Sequence, residues 1–248
     1  AYFAFGKGKD AGIKPWLNED FLVRRDPNSA LAVLLGLRLN LQPARLRGVL
    51  PTAPKCTTPI CATESDSVAD TLTKAGTAGL AFLPSAEADR RRLDLRPLAF
   101  QALGQRGAFF PDSRASAVDK RNVREGRYPL WGQLHLVAQA DTMNPRQPLP
   151  LLQRISEIIL GTGKPVDAEE PLLTPVRTGY IPQCAMAVSR LEDRSPLRPY
   201  TAADPCARWF ECSVPNATNA QQCAMQVCQD DSKCGGGGKC RRGYCEAR

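Results

Sequence analysis

Arg25 and Ser29 stand four residues apart in the stretch RRDPNSALAVLL, just before an almost unbroken aliphatic run. A helix starting at that run presents backbone N–H groups and a partial positive charge at its first turn. A serine there adds a hydroxyl, and an arginine one short loop earlier adds a planar fork suited to two oxygens of one anion. The chemistry this combination can do is to hold an oxyanion. The competing reading is a serine that only caps the helix and arginines that only face water. Spacing alone leaves both open.

Other chemistry-bearing residues point to less. His135 is the only histidine and has no second histidine or nearby carboxylate cluster, so no triad is recognisable and a structural strand residue is expected. GTGK at 161–164 and GGGGK at 235–239 resemble phosphate loops, but neither completes the GxxxxGK[ST] pattern. Asn216 opens a formal glycosylation sequon, NAT. With no nucleophile beside a base and no metal-ligand cluster, an enzyme is not expected, nor is a cofactor.

The 10 cysteines occur without a single CxxC, which favours disulfides over zinc and an oxidising compartment over the cytosol. The net charge is +8 and the pI about 9.1, but aspartate and glutamate are interspersed with the basic residues, so no nucleic-acid partner is expected. The densest basic run, Arg90-Arg91-Arg92, is flanked by Asp89 and Asp94 and reads as a solvated loop. No apolar run approaches the roughly 20 residues that span a bilayer.

The elements that would position these residues follow from pattern. AYFAF and FLVRR read as strands around a Gly/Lys/Pro stretch, and Ser29 as the N-cap of a buried helix over 30–39. CTTPIC, Cys56 to Cys61, reads as a local staple. DSVADTLTKAG reads as an amphipathic helix ending at Gly76, and AGLAFLP as a short strand after it. LRPLAFQAL and GAFFPD read as a strand and a turn, and residues 127–140 as a long strand. PLLQRISEIILGTG reads as a helix with Pro150 in its first turn, and GYIPQCAMAV at 179–188 as strand-like. Helices alternating with short apolar strands indicate an α/β sheet. Seven of the cysteines fall in Cys206–Arg248, which reads as a separate disulfide-dense module with CGGGGKC and CRRGYC as turns; its connectivity cannot be deduced from spacing.

The stretch resembles a known family, the periplasmic phosphate-binding component of ABC phosphate uptake systems, a type II periplasmic binding protein. That family carries R-x-x-x-S-G-T before a helix, where this chain has Arg25 and Ser29 but Ala30 and Leu31 in place of Gly and Thr. VADTLTKAGTAGLAFLP and GRYPLWGQLHLV are similar to the family's helix-then-strand segment and returning "YPL" strand, in consistent order over residues 15–140.

The resemblance implies an α/β lobe with a mixed sheet and flanking helices over 1–140, a return segment over 141–203, and a cysteine-rich tail over 204–248 similar to tails on exported bacterial proteins. It implies phosphate or a similar oxyanion held by Arg25, Ser29 and the main chain of Ala30 and Leu31. It further implies a monomer in the periplasm or outside the cell, working with an ABC transporter permease or a cell-surface protein. In that family roughly the first third of the mature protein forms most of one lobe; the expectation is that this part precedes the present residues, with Ala1 an internal starting point and any lipid anchor upstream. The rival expectation is an exported structural or interaction protein with a degenerate ligand site and a cysteine-rich contact module.

Overall fold

The structure, a computed structural model, describes residues 18–51, 64–134, 172–215 and 220–246. The expected strand AYFAF, the CTTPIC loop, His135, the helix beginning near Pro150, GTGK and the Asn216 sequon lie outside those residues. The chain divides into two units, Ala1–Pro97 and Leu98–Arg248; the expected boundaries at 140 and 203 fall inside the second.

In the first unit, strand β1 (Leu22–Val23) is buried on both faces, as an apolar parallel strand must be. It pairs in parallel with β2 (Leu80–Ala81), Leu22 opposite Leu80, and bridges Val49 on its other side. Gly48 permits that second contact: its φ is +125°, and a Cβ there would stand 2.0 Å from the Leu22 carbonyl oxygen. Among the described residues, two α-helices lie between the paired strands in the chain. Helix α1 (Ala30–Leu39) begins at the expected Ser29 cap and ends at Asn40 in the left-handed conformation. Helix α2 (Glu64–Lys74) buries Val68 and Ala69, and Gly76, with φ +72°, turns the chain toward β2.

Helix α3 (Ser85–Arg90) corrects one expectation. Arg90, Arg91 and Arg92 are not a solvated loop but close the helix onto carboxylates. Arg91 reaches Glu87 and Asp70, each at 2.6 Å, Arg90 reaches Glu87 and Asp66, and Arg92 reaches Asp89. The cations sit where the helix dipole is negative, and Arg90 and Arg91 bridge to α2.

The second unit is loop-rich, with helices α4 (Arg121–Arg124), α5 (Leu173–Arg177), α6 (Ala207–Ser213) and α7 (Ala220–Met225). Antiparallel pairs join β3 (Val188–Ser189) to β4 (Arg198–Pro199) and β5 (Lys239–Arg241) to β6 (Tyr244–Glu246). Its core packs Leu172 and Val176 of the α5 segment against Trp209 and Phe210 of α6. Each such side chain contributes about 1.5–3 kcal/mol on burial.

Among the described residues, four disulfides join Cys184 to Cys206, Cys212 to Cys223, Cys228 to Cys240 and Cys234 to Cys245. The last two interleave across the β5–β6 hairpin, whose turn uses Arg242 (φ 49°) and Gly243 (φ 79°). Cys240 and Cys245 face each other in register, yet each bonds a residue outside the hairpin. The chain thus has a mixed helix and small-sheet architecture with a disulfide-rich C-terminal region, and among the described residues no helix is long and apolar enough to cross a membrane. Disulfides of this density belong to chains matured in an oxidising compartment.

Further expectations need correction. The tail is not a separate module: Cys206 is bonded to Cys184, and Trp209 and Phe210 share one core with residues 172–185. Residues 127–134 form no strand, because Pro129 lacks a donor and the Pro129 and Trp131 carbonyls accept hydrogen bonds from Arg190 at 2.9 and 2.8 Å. The Arg190 guanidinium also stacks 4.3 Å from the Trp131 ring centre. Residues 135–140 lie outside the description. Of 179–188, only Val188 enters a strand, since a 3-10 turn over Gln183–Ala185 follows Pro182 and presents Cys184 to its bridge. The strand expected at LRPLAFQAL reduces to one antiparallel bridge, Phe100 to Phe109.

Glu246, at the end of β6, supplies a link that spacing does not suggest. Its buried carboxylate accepts from the Arg208 and Trp209 main-chain N–H groups at 2.9 and 2.8 Å, capping α6 from 38 and 37 residues away. A carboxylate on two such donors is worth about 1–2 kcal/mol, so Glu246→Gln should lower the unfolding free energy by that amount, seen as a lower urea midpoint at an unchanged m-value.

Candidate functional site

Arg24 and Arg25 follow directly on the carboxyl end of β1, and Phe82 follows directly on the carboxyl end of β2. In open α/β sheets that edge is where ligands bind, because loops leave the strands there and helix N-termini point back toward it. All three residues line one small cavity, with Leu31 and Ala32 from the first turn of α1, and Leu35 and Leu46. The space amounts to about 10 Å³, roughly one water molecule.

Arg25 is 8% exposed, unusual for a cation. Its Nη1 donates to the Ser65 hydroxyl at 3.2 Å, in the first turn of α2. The guanidinium therefore lies between the starts of two helices, α1 and α2. Arg24 turns elsewhere: its Nε donates to the Gly48 carbonyl at 3.1 Å, strengthening the pairing at Val49.

Ser29 occupies the position expected of it, with a hydroxyl engaged inside its own turn. It donates to the Asp26 carbonyl at 2.8 Å and accepts from the Ala32 N–H at 3.4 Å. Asp26 meanwhile accepts from the Asn28 N–H at 2.8 Å, which shapes the loop as an Asx turn. Ala30 and Leu31 form the first turn of α1. Leu31 lines the cavity, and the main-chain N–H groups of both point toward the helix start, as in any helix.

The structure thus brings Arg25 and Leu31 together at one cavity, with Ser29 as cap beside them and Ala30 in the first turn. The sequence reading missed Ser65 and Phe82. Ser65 lies 40 residues from Arg25, and no pattern signals such a contact. Phe82 was legible only as a strand residue in AGLAFLP; its place beside Arg25 follows from the parallel pairing of β1 and β2. Every residue lining the cavity is cationic or apolar, so its side chains include hydrogen-bond donors but no oxygen acceptor.

Among the described residues, GGGGK at 235–239 forms a 3-10 turn leading into β5 rather than a strand leading into a helix, which is not phosphate-loop geometry. Cys228, Cys234 and Cys245 have sulfurs close enough to surround a metal, but all three are in disulfides. Comparison with known protein families, with curated proteins and with solved structures finds no significant match to this chain.

Proposed function

We propose that the N-terminal unit is the oxyanion-holding lobe of a solute-binding-like protein of the periplasm or cell exterior, linked to ABC-type uptake and related in plan to phosphate-binding components. The observation that carries this reading is the buried Arg25 guanidinium at the carboxyl edge of two parallel strands, between the first turns of α1 and α2. Positive charge from the arginine and from two helix starts then acts on one point. The anion enters by displacing the Arg25–Ser65 contact, takes the Arg25 fork, and accepts from the N–H groups of Ala30 and Leu31. Ser29 sets the angle of that first turn. In such proteins a second lobe closes over the ligand, which completes a site too small by itself.

Calorimetric titration of the chain with phosphate, sulfate and simple carboxylates tests this directly. Binding of at least one anion is expected, and Arg25→Ala should weaken it by about ten- to a hundredfold, the worth of one charge-assisted hydrogen-bonded fork. No binding to any of them, or binding indifferent to the substitution, overturns the proposal.

One observation favours a second reading, an exported interaction protein that kept the scaffold and lost the ligand. The Ser29 hydroxyl is consumed within its own turn, and Ala30 and Leu31 stand where the resembling family has Gly and Thr. Under this reading no anion raises the melting temperature of the chain, and contacts are made by the disulfide-rich region.

A further inference from the structure

Asp112 and Lys120 bring opposite charges together deep in the second unit. Lys120 Nζ lies 2.9 Å from Asp112 Oδ1, and the two side chains are 4% and 0% exposed. An ammonium and a carboxylate in contact, closed off from water, differ from an amide only by one molecule of water. Those are the two reactants of an amide bond, already in contact and held at high effective concentration.

The surroundings restrain both partners. The Lys120 main-chain N–H donates to the same Asp112 Oδ1 at 2.8 Å. The Asn122 side chain donates to the Asp112 carbonyl at 2.6 Å, and Lys120 adopts the left-handed conformation, φ 48°, that turns its chain back on the aspartate.

We propose that Asp112 and Lys120 become joined by an intramolecular isopeptide bond. Nζ gives one proton to the Asp112 carboxylate across the 2.9 Å contact, attacks Cγ and forms the C–N bond. Negative charge developing on Oδ1 is met by the Lys120 N–H, placed as an oxyanion donor. The other carboxyl oxygen takes the second proton from the attacking nitrogen, and the C–O bond breaks to release water. Ammonium and carboxylate thus become amide and water, with no oxidant, reductant or co-reactant. The product closes a loop of sequence separation 8 with a bond that reductants cannot open, unlike the disulfides elsewhere in the unit.

Intact-mass measurement of the purified, fully reduced and denatured chain decides the matter. A deficit of about 18 Da, one water, is expected relative to the reduced sequence, together with a branched tryptic peptide linking the Asp112 and Lys120 segments. Lys120→Arg should restore the full mass. If the wild-type chain has its full mass and trypsin cleaves after Lys120, the proposal is overturned; this holds even if the substituted chain fails to fold.

Discussion

Arg124→Ala is expected to destabilise the second unit by about 3–5 kcal/mol, a large part of the 5–15 kcal/mol that holds a typical domain. The guanidinium is a hub. Its Nε donates to the Asp119 carbonyl at 3.1 Å, and its Nη1 reaches the Ala185 and Ala207 carbonyls at 3.5 and 3.4 Å. Its Nη2 pairs with Glu211, and its plane lies 5.2 Å from the Phe210 ring centre. Truncation takes the donor from three carbonyls at once and leaves the largely buried Glu211 carboxylate with only its Arg208 and Arg121 contacts, and the simultaneous loss of so many contacts is what makes the cost large. Lysine should not rescue, since a point charge cannot serve carbonyls in three directions. The double substitution Arg124→Met with Glu211→Gln should recover part of the loss. Urea denaturation checks all three; a single-substitution cost below about 1 kcal/mol would contradict the assignment of Arg124 as the hub.

The same hub gives the unit an acid limit. Burial opposes the charged form of Asp119, but hydrogen bonds from Ser113 and Arg121, with the nearby Arg124 charge, prevail and hold its carboxyl below the ordinary 3.8. A lowered carboxyl favours folding fully above its unfolded value, and that contribution is lost as pH falls through the lowered one. The wild-type unit should therefore lose stability below about pH 4, and Arg124→Ala should make that acid limb shallower.

The second large effect concerns the Cys184–Cys206 bridge. Replacing both cysteines by alanine should cost about 3 kcal/mol from the unfolded-state entropy of a closed loop of this size, and more from the space left in the core. The sequence separation is 22, and Cys206 is 0% exposed beside Trp209 and Phe210. Burial also sets the order of reduction, because a thiolate must reach the sulfur it attacks. With increasing reductant and mass-tagged alkylation, Cys212–Cys223, whose cysteines are only half-buried, should open before Cys184–Cys206. Simultaneous opening of these two bridges, or earlier loss of the buried one, would contradict this picture.

How much of the molecule could be read from its residues depended on how far apart the partners lie. The α1 helix and its Ser29 cap, the α2 helix with its glycine turn, and β1 and β2 follow from periodicity and capping within a dozen residues, where local backbone preferences decide. The cysteine chemistry was legible for the same reason: ten cysteines without a metal spacing leave little but disulfides. Where the reading failed, a distant group had taken over the backbone's hydrogen bonds. Residues 128–131 look like a strand, but Arg190, 59 and 61 residues away, occupies their carbonyls.

The sequence by itself determined that Arg25 precedes a capped helix start, that the described part of the chain would mix helices with short strands, and that its C-terminal region would be held by disulfides. Only the tertiary structure decided that Arg25 is buried against Ser65 beside Phe82, and that the Ser29 hydroxyl stays within its own turn. It alone decided which cysteines pair, and that Arg124 joins segments up to 87 residues apart. The physical reason is that caps and turns are set by neighbours along the chain. A buried charge takes whichever partners the closed core places around it, and the chain's spacing does not encode them.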